Sequence, residues 1–230
     1  MASHMLRKIN RTRVYIPSQG PASWQGFLAE PVRQWRTGCS AKTLAHCWES
    51  ADGLPHEIAQ MLDDPAELLL ALPEHKVPLD GGNRDSQNDV FALIRFGEQT
   101  CAATIEGKVS EPFGPTVGEW YAEPSRGKRD RMRQLCGLLG FDGMPPAHVR
   151  YQLMHRTASA LIEAQRFKTD EAAMIVHSFS PGRMWFDDFA TFASLFGAEV
   201  RPDLPRTFVL KSGQRLRLGW ATGNEDFLKC

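Results

Sequence analysis

The strongest pattern in the chain is a pair of apolar, β-branched runs separated by a short polar gap. Residues 88–96, Asn-Asp-Val-Phe-Ala-Leu-Ile-Arg-Phe, and residues 100–109, Thr-Cys-Ala-Ala-Thr-Ile-Glu-Gly-Lys-Val, have the composition of strands, and the Gly97-Glu98-Gln99 link makes them a hairpin. Upstream, Ala41, Leu44, Ala45 and Trp48 fall at i, i+3, i+4 and i+7, which predicts a helix over 41–50 capped by Ser40 and ended by Gly53 and Pro55. A short helix at 55–62 and a leucine-rich helix at 65–72 follow, each bounded by proline, and His75 to Leu79 makes a short strand.

Downstream, a loop with Pro112, Gly114, Pro115 and Gly118 leads to a basic helix over 125–139 and then to a long helix over 147–166. Ala172-Ala-Met-Ile-Val-His177 is continuously apolar, as in a strand covered on both faces. Trp185, Phe189, Phe192 and Phe196 recur at helical spacing within 184–196, the mark of a core face. Two strands near 207–210 and 215–220, joined by a Lys-Ser-Gly-Gln turn, close the chain. This alternation is that of a single α/β domain over 5–230, with residues 5–38 as an irregular arm and Met1 to His4 as an expression scar.

Composition narrows the picture. An apolar fraction of 42% with 23% charged residues argues against a disordered or fibrous chain. The 27 basic and 27 acidic residues cancel, so a DNA or RNA partner would have to be held by a local basic patch. The five cysteines, at 39, 47, 101, 136 and 230, form no Cys-x-x-Cys pair, which reads as reduced thiols in a cytoplasmic protein and does not suggest structural zinc. No run approaches the roughly 20 apolar residues of a membrane span, so no membrane association is expected.

The hairpin carries the candidate chemistry. Side chains alternate across a strand, so Glu106 and Lys108 share a face, and antiparallel reflection about 97–98 sets Asp89 opposite 106 or 107. Two carboxylates and a lysine among Val, Ile, Leu, Phe and Ala need compensation, which a divalent cation supplies. Carboxylate oxygens suit Mg²⁺ or Mn²⁺, and a lysine beside them can orient water or stabilise phosphoryl charge, the requirements of phosphodiester hydrolysis. The same Glu-x-Lys spacing also occurs in exposed cross-strand pairs with no chemical role.

The order helix, strand, strand with Asp89, strand with Glu106-x-Lys108, helix, strand resembles the αβββαβ core of the PD-(D/E)XK, or restriction endonuclease-like, nuclease superfamily over about residues 40–177. Residues 178–230 then form an extension of a helix plus a β-hairpin. The segments Ile105-Glu-Gly-Lys-Val-Ser-Glu-Pro-Phe-Gly-Pro-Thr-Val-Gly-Glu-Trp120 and Arg150-Tyr-Gln-Leu-Met-His-Arg-Thr-Ala-Ser-Ala160 are similar to an uncharacterised bacterial family within that superfamily. The resemblance implies Asp89 and Glu106 as metal-binding carboxylates and Lys108 as the catalytic lysine, with Asn88 standing where the signature has proline. It also implies a further metal-binding glutamate from the first helix, for which Glu49 fits and Glu57 competes.

Gln152, Arg156, Ser159 and Glu163 form one polar stripe on the long helix, ordinarily a solvent-facing one. The resemblance puts the start of that helix at the site, with Gln152 in a catalytic role and Arg156 able to bind phosphate. Lys128 and Arg129 of the basic run are the other candidate nucleic-acid contacts, while His155 and His177 read as satisfied core or surface histidines. Two functions are therefore expected: a metal-dependent nuclease, or a non-catalytic nuclease-like module that binds protein or nucleic acid, a homodimer being compatible with either.

Overall fold

The computed structural model describes residues 18–63, 65–82, 84–197 and 199–230, so the segment expected to be a scar, 1–4, and the first part of the arm lie outside the described residues. The rest of the arm is a 3₁₀ segment, Pro21–Phe27, that buries Trp24, followed by helix α1 (Pro31–Gln34). Helix α2 (Ser40–Ser50) and the short helix α3 (His56–Ala59) follow. Ser40 is not the cap of α2: Cys39 occupies that position in extended conformation, and the Glu111 carboxylate accepts the free N–H of Ser40 at 2.8 Å.

The leucine-rich segment expected to be a helix is instead the first half of a long strand, β1 (Ala66–Val77), which also absorbs most of the short strand expected at 75–79. Leu68 and Ala71 pack on one face of the sheet and Leu72 on the other, because a register shift between Leu68 and Leu70 breaks the simple alternation. Pro73 interrupts nothing, because β1 is an edge strand and its outer side needs no donor. The hairpin forms as read, from β2 (Ser86–Phe96) and β3 (Gln99–Lys108), with Phe96 paired to Gln99 and Gly97 at φ 54° in the two-residue turn.

After β3 come α4 (Val117–Trp120), α5 (Arg126–Leu139) and α6 (Tyr151–Phe167). The long helix starts four residues later than its periodicity suggests, because Val149 and Pro115 carbonyls bind the N–H groups of Val117 and Tyr151 and hold the two loops together. Strand β4 (Glu171–Ser178), helix α7 (Phe186–Ser194), β5 (Arg206–Val209) and β6 (Arg215–Thr222) complete the domain. The sheet has six strands in the order β1-β2-β3-β4-β6-β5, with β4 parallel to both β3 and β6 and the other pairs antiparallel.

Both faces are covered. Leu135, Leu153, Leu161 and Phe189 from α5, α6 and α7 pack on one, and Trp24, Leu44, Trp48 and Ile58 on the other. Every residue of β4 is buried, in keeping with its apolar run. Glu106 to Lys108 lie level with Val176 to Ser178, at the carboxyl ends of two neighbouring parallel strands, where ligand sites of open α/β sheets usually form. No helix among the described residues is long and apolar enough to cross a membrane.

Candidate active site

The ladder between β2 and β3 ends at Val90 and Ile105, one residue short of the charged positions. There the Asp89 carboxylate takes the place of a backbone partner, accepting the Gly107 N–H at 2.8 Å. A side chain on Gly107 would meet Leu44 at 3.2 Å and the Asp89 carboxylate at 3.4 Å, so glycine keeps this approach open. On the other side of the same residue pair, Glu106 and Lys108 point toward α6, as strand alternation requires.

Glu106, only 3% exposed, is gripped by three donors. Lys108 Nζ at 2.6 Å and Gln152 Nε2 at 2.8 Å donate to its Oε1, and Arg156 Nε donates at 2.5 Å to Oε2. Lys108 also sits 4.9 Å above the Phe113 ring, and a second guanidinium nitrogen of Arg156 reaches Ser86 Oγ at 3.2 Å. The polar stripe of α6 therefore turns inward: Arg156, Ser159 and Glu163 are all buried.

Burial alone would raise the Glu106 carboxyl, but the Arg156 and Lys108 charges and their hydrogen bonds hold it down at about 2. Its neighbours behave oppositely. Burial, reinforced by the Glu106 charge, pushes Asp89 up to about 7. Glu74 of β1 is pushed up to about 8 by burial and then by Asp89, although Gln87 donates to it at 2.7 Å. Glu74 holds φ at 52°, a left-handed conformation that is strained for a non-glycine residue and that accompanies its position in the cleft.

Asp89, Glu106, Lys108, Gln152 and Arg156 thus line one cleft of about 430 Å³, with Glu74 and Glu111 beside them. Glu49 does not join them. Its carboxylate accepts Trp24 Nε1 at 2.7 Å and the Ser18 hydroxyl, so it anchors the N-terminal segment on α2 instead. Lys128 and Arg129 are also elsewhere: Lys128 lies 5.5 Å over the Trp120 ring, and Arg129 donates to the Pro124 carbonyl. Glu74 was hidden in the sequence because it falls at the seam between a misread helix and a short strand; its proline neighbour and isolated charge gave no other signal.

Residues 17–225 match a protein family described as a domain of unknown function, DUF6946. The chain belongs to the DUF6946 family. No curated protein and no solved structure matches it.

A second polar group of this DUF6946 chain lies on the opposite face of the sheet. Cys47 Sγ, a Glu57 carboxylate oxygen and a His177 ring nitrogen all lie within 4.8 Å of one another, compact enough for a metal ion. Their hydrogen bonds favour another role. Trp48 Nε1, which can only donate, lies 3.3 Å from His177 Nδ1, so in the neutral ring Nε2 keeps the proton and donates to Glu57 at 2.7 Å. A metal on Nε2 would strip the ring of both protons, whereas ligating histidines normally donate through the other nitrogen.

Proposed function

We propose that this DUF6946 chain is a metal-dependent nuclease of PD-(D/E)XK type that hydrolyses phosphodiester bonds of DNA or RNA in the cytoplasm. The observation that carries the reading is the meeting of Asp89, Glu106 and Lys108 at the ends of adjacent strands in one cleft. In the same reading α2, β1, β2, β3, α6 and β4 fill the six places of the αβββαβ core, with β6, β5 and α7 as the extension.

The donor set fits Mg²⁺ or Mn²⁺. It offers carboxylate oxygens, and burial, reinforced by the Glu106 charge at Asp89 and by the Asp89 charge at Glu74, favours the protonated forms of both, a cost that a divalent cation relieves. Asp89 and Glu106 would hold the ion, with Glu74 in place of the helix glutamate expected at Glu49. When bound, such an ion would polarise a phosphoryl oxygen and acidify water. Lys108 would orient the attacking water or stabilise charge on the phosphoryl oxygens, and Arg156 would bind phosphate while holding Glu106 in place. Gln152 fixes the other carboxylate oxygen.

A second reading keeps the groove and drops the catalysis. It is favoured by the engagement of Glu106 with three protein donors at once. The two are separated by incubating single-stranded DNA, duplex DNA and RNA with the protein in Mg²⁺ or Mn²⁺. Cleavage abolished by EDTA, by Asp89→Asn and by Lys108→Ala supports the nuclease; nucleic-acid binding without cleavage supports the module.

A further inference from the structure

Beside the cleft, and sharing Gln152 and Arg156 with it, lies a second cavity of about 430 Å³. Its walls are mostly apolar, with Leu79, Phe113 and Trp120 among them, yet it holds two polar groups that the protein leaves incompletely served. Tyr151 is 7% exposed, and its hydroxyl lies beside the Arg131 guanidinium with no well-formed hydrogen bond to any group, in a setting where an underserved hydroxyl costs stability. Arg131 is 9% exposed and donates to the Leu79 and Asp80 carbonyls, at 3.2 and 2.9 Å, with the Tyr151 hydroxyl beside it; no carboxylate among the described residues is ion-paired with it.

The surrounding architecture brings these two groups together. Gly81 and Gly127 touch so closely that a Cβ on either would lie 2.0–2.2 Å from the other's carbonyl oxygen, and this contact seats α5 on the 79–82 loop with Arg131 directed to its carbonyls. Tyr151 is the first residue of α6, whose positive end adds to the attraction for an anion. Arg84 and Asp85 also line the cavity and, both exposed, offset each other in charge.

We propose that this cavity receives one unpaired nucleotide adjoining the scissile bond, its phosphate on Arg131 and the Tyr151 hydroxyl and its base against the apolar walls. The proposal rests on the nuclease reading and deepens it. A cavity of this size lies within the range for small-molecule sites, about 300–1,000 Å³, and admits a single nucleotide but not a base pair. The substrate is therefore single-stranded, or a duplex with a frayed end. Arg131 and Tyr151 act as binding residues, set apart from the carboxylates by the Gln152–Arg156 wall.

The test is titration of the full chain with thymidine 5′-monophosphate, thymidine and inorganic phosphate in EDTA, followed by calorimetry. Wild type binds the monophosphate at about millimolar concentration or better, and more tightly than either half. Tyr151→Phe, which removes only the hydroxyl, weakens it about three- to tenfold, and Arg131→Gln weakens it more. No binding of the monophosphate, equal binding of inorganic phosphate, or no change in Tyr151→Phe overturns the proposal. Because the titration contains no metal, nucleotide binding by a protein that never cleaves would sink the nuclease reading and leave this site standing. Cleavage of single strands and blunt duplexes at equal rates, with no nucleotide binding, would do the reverse.

Discussion

Replacing Glu106 by glutamine tests the charge cluster at its centre. The substitution keeps the shape and removes one negative charge from a position 3% exposed, leaving Lys108 and Arg156, themselves 4% and 8% exposed, facing a neutral amide. One of the three donors then meets an NH₂ group. Breaking a buried pair by removing one partner typically costs about 3–5 kcal/mol. Part of this is recovered, because Asp89, raised by burial and then by the Glu106 charge, loses the second of these and ionises more readily beside the same two cations. We expect a net loss of about 3 kcal/mol, and for a chain of this size a fall in Tm of about 6–12 °C. Urea unfolding at neutral pH without divalent metal measures it, with the m-value required to stay constant. A loss below about 1 kcal/mol would mean that Glu106 is solvated and that the cluster is a surface arrangement, which removes the physical basis of the site.

Further outcomes follow from the same structure. Asp89 and Glu74 are raised when folded, so the stability they contribute is complete below the ordinary carboxylate range and is lost as pH climbs through about 7 to 8. His46, His75 and His155, all lowered chiefly by burial, add stability as pH rises toward about 6.5, so the carboxylate effect is read above that: metal-free protein should lose stability between about pH 7 and 8, and Mg²⁺ should flatten that slope; a metal-free profile that rises from pH 7 to 8 would contradict the assignment. Gly127→Ala drives a Cβ into the Gly81 carbonyl at 2.2 Å and should destabilise by about 2 kcal/mol or more in thermal melts, while Gly137→Ala, with open space around it, should be neutral or stabilising. Cys47 and Cys101 are buried and both thiols are raised by burial, so thiol-labelling followed by mass spectrometry should modify Cys39, Cys136 and Cys230 in the native protein and these two only after unfolding.

Much of the hairpin was legible because strand alternation and hairpin reflection are nearly rigid rules. Glu106 and Lys108 had to share a face, and Asp89 had to arrive within a residue of Glu106. The leucine-rich stretch at 65–72 misled because leucine packs equally well in a helix; the deciding fact is its pairing with β2, which no local pattern contains. Treating Pro73 as a helix end compounded the error and concealed Glu74. Glu49 sits on the helix expected to carry it, but the arm's Trp24 takes its carboxylate, a contact between segments 25 residues apart. Arg131 lay in plain view within the basic run, yet only its burial against the 79–82 loop distinguishes it from Lys128 and Arg129. The inward turn of the α6 stripe could be suspected from Gln152 and Arg156 following a Glu-x-Lys strand, and the geometry that pins Glu106 between them is a tertiary fact.

The most direct test of the central claim is calorimetric titration of Mg²⁺ and Mn²⁺ into the wild type, Asp89→Asn and Glu106→Gln, with each variant first shown to be folded. The account predicts metal binding by the wild type that both substitutions abolish or weaken at least tenfold, about 1.4 kcal/mol. Absence of binding at millimolar metal, or binding that is indifferent to both carboxylates, would contradict it.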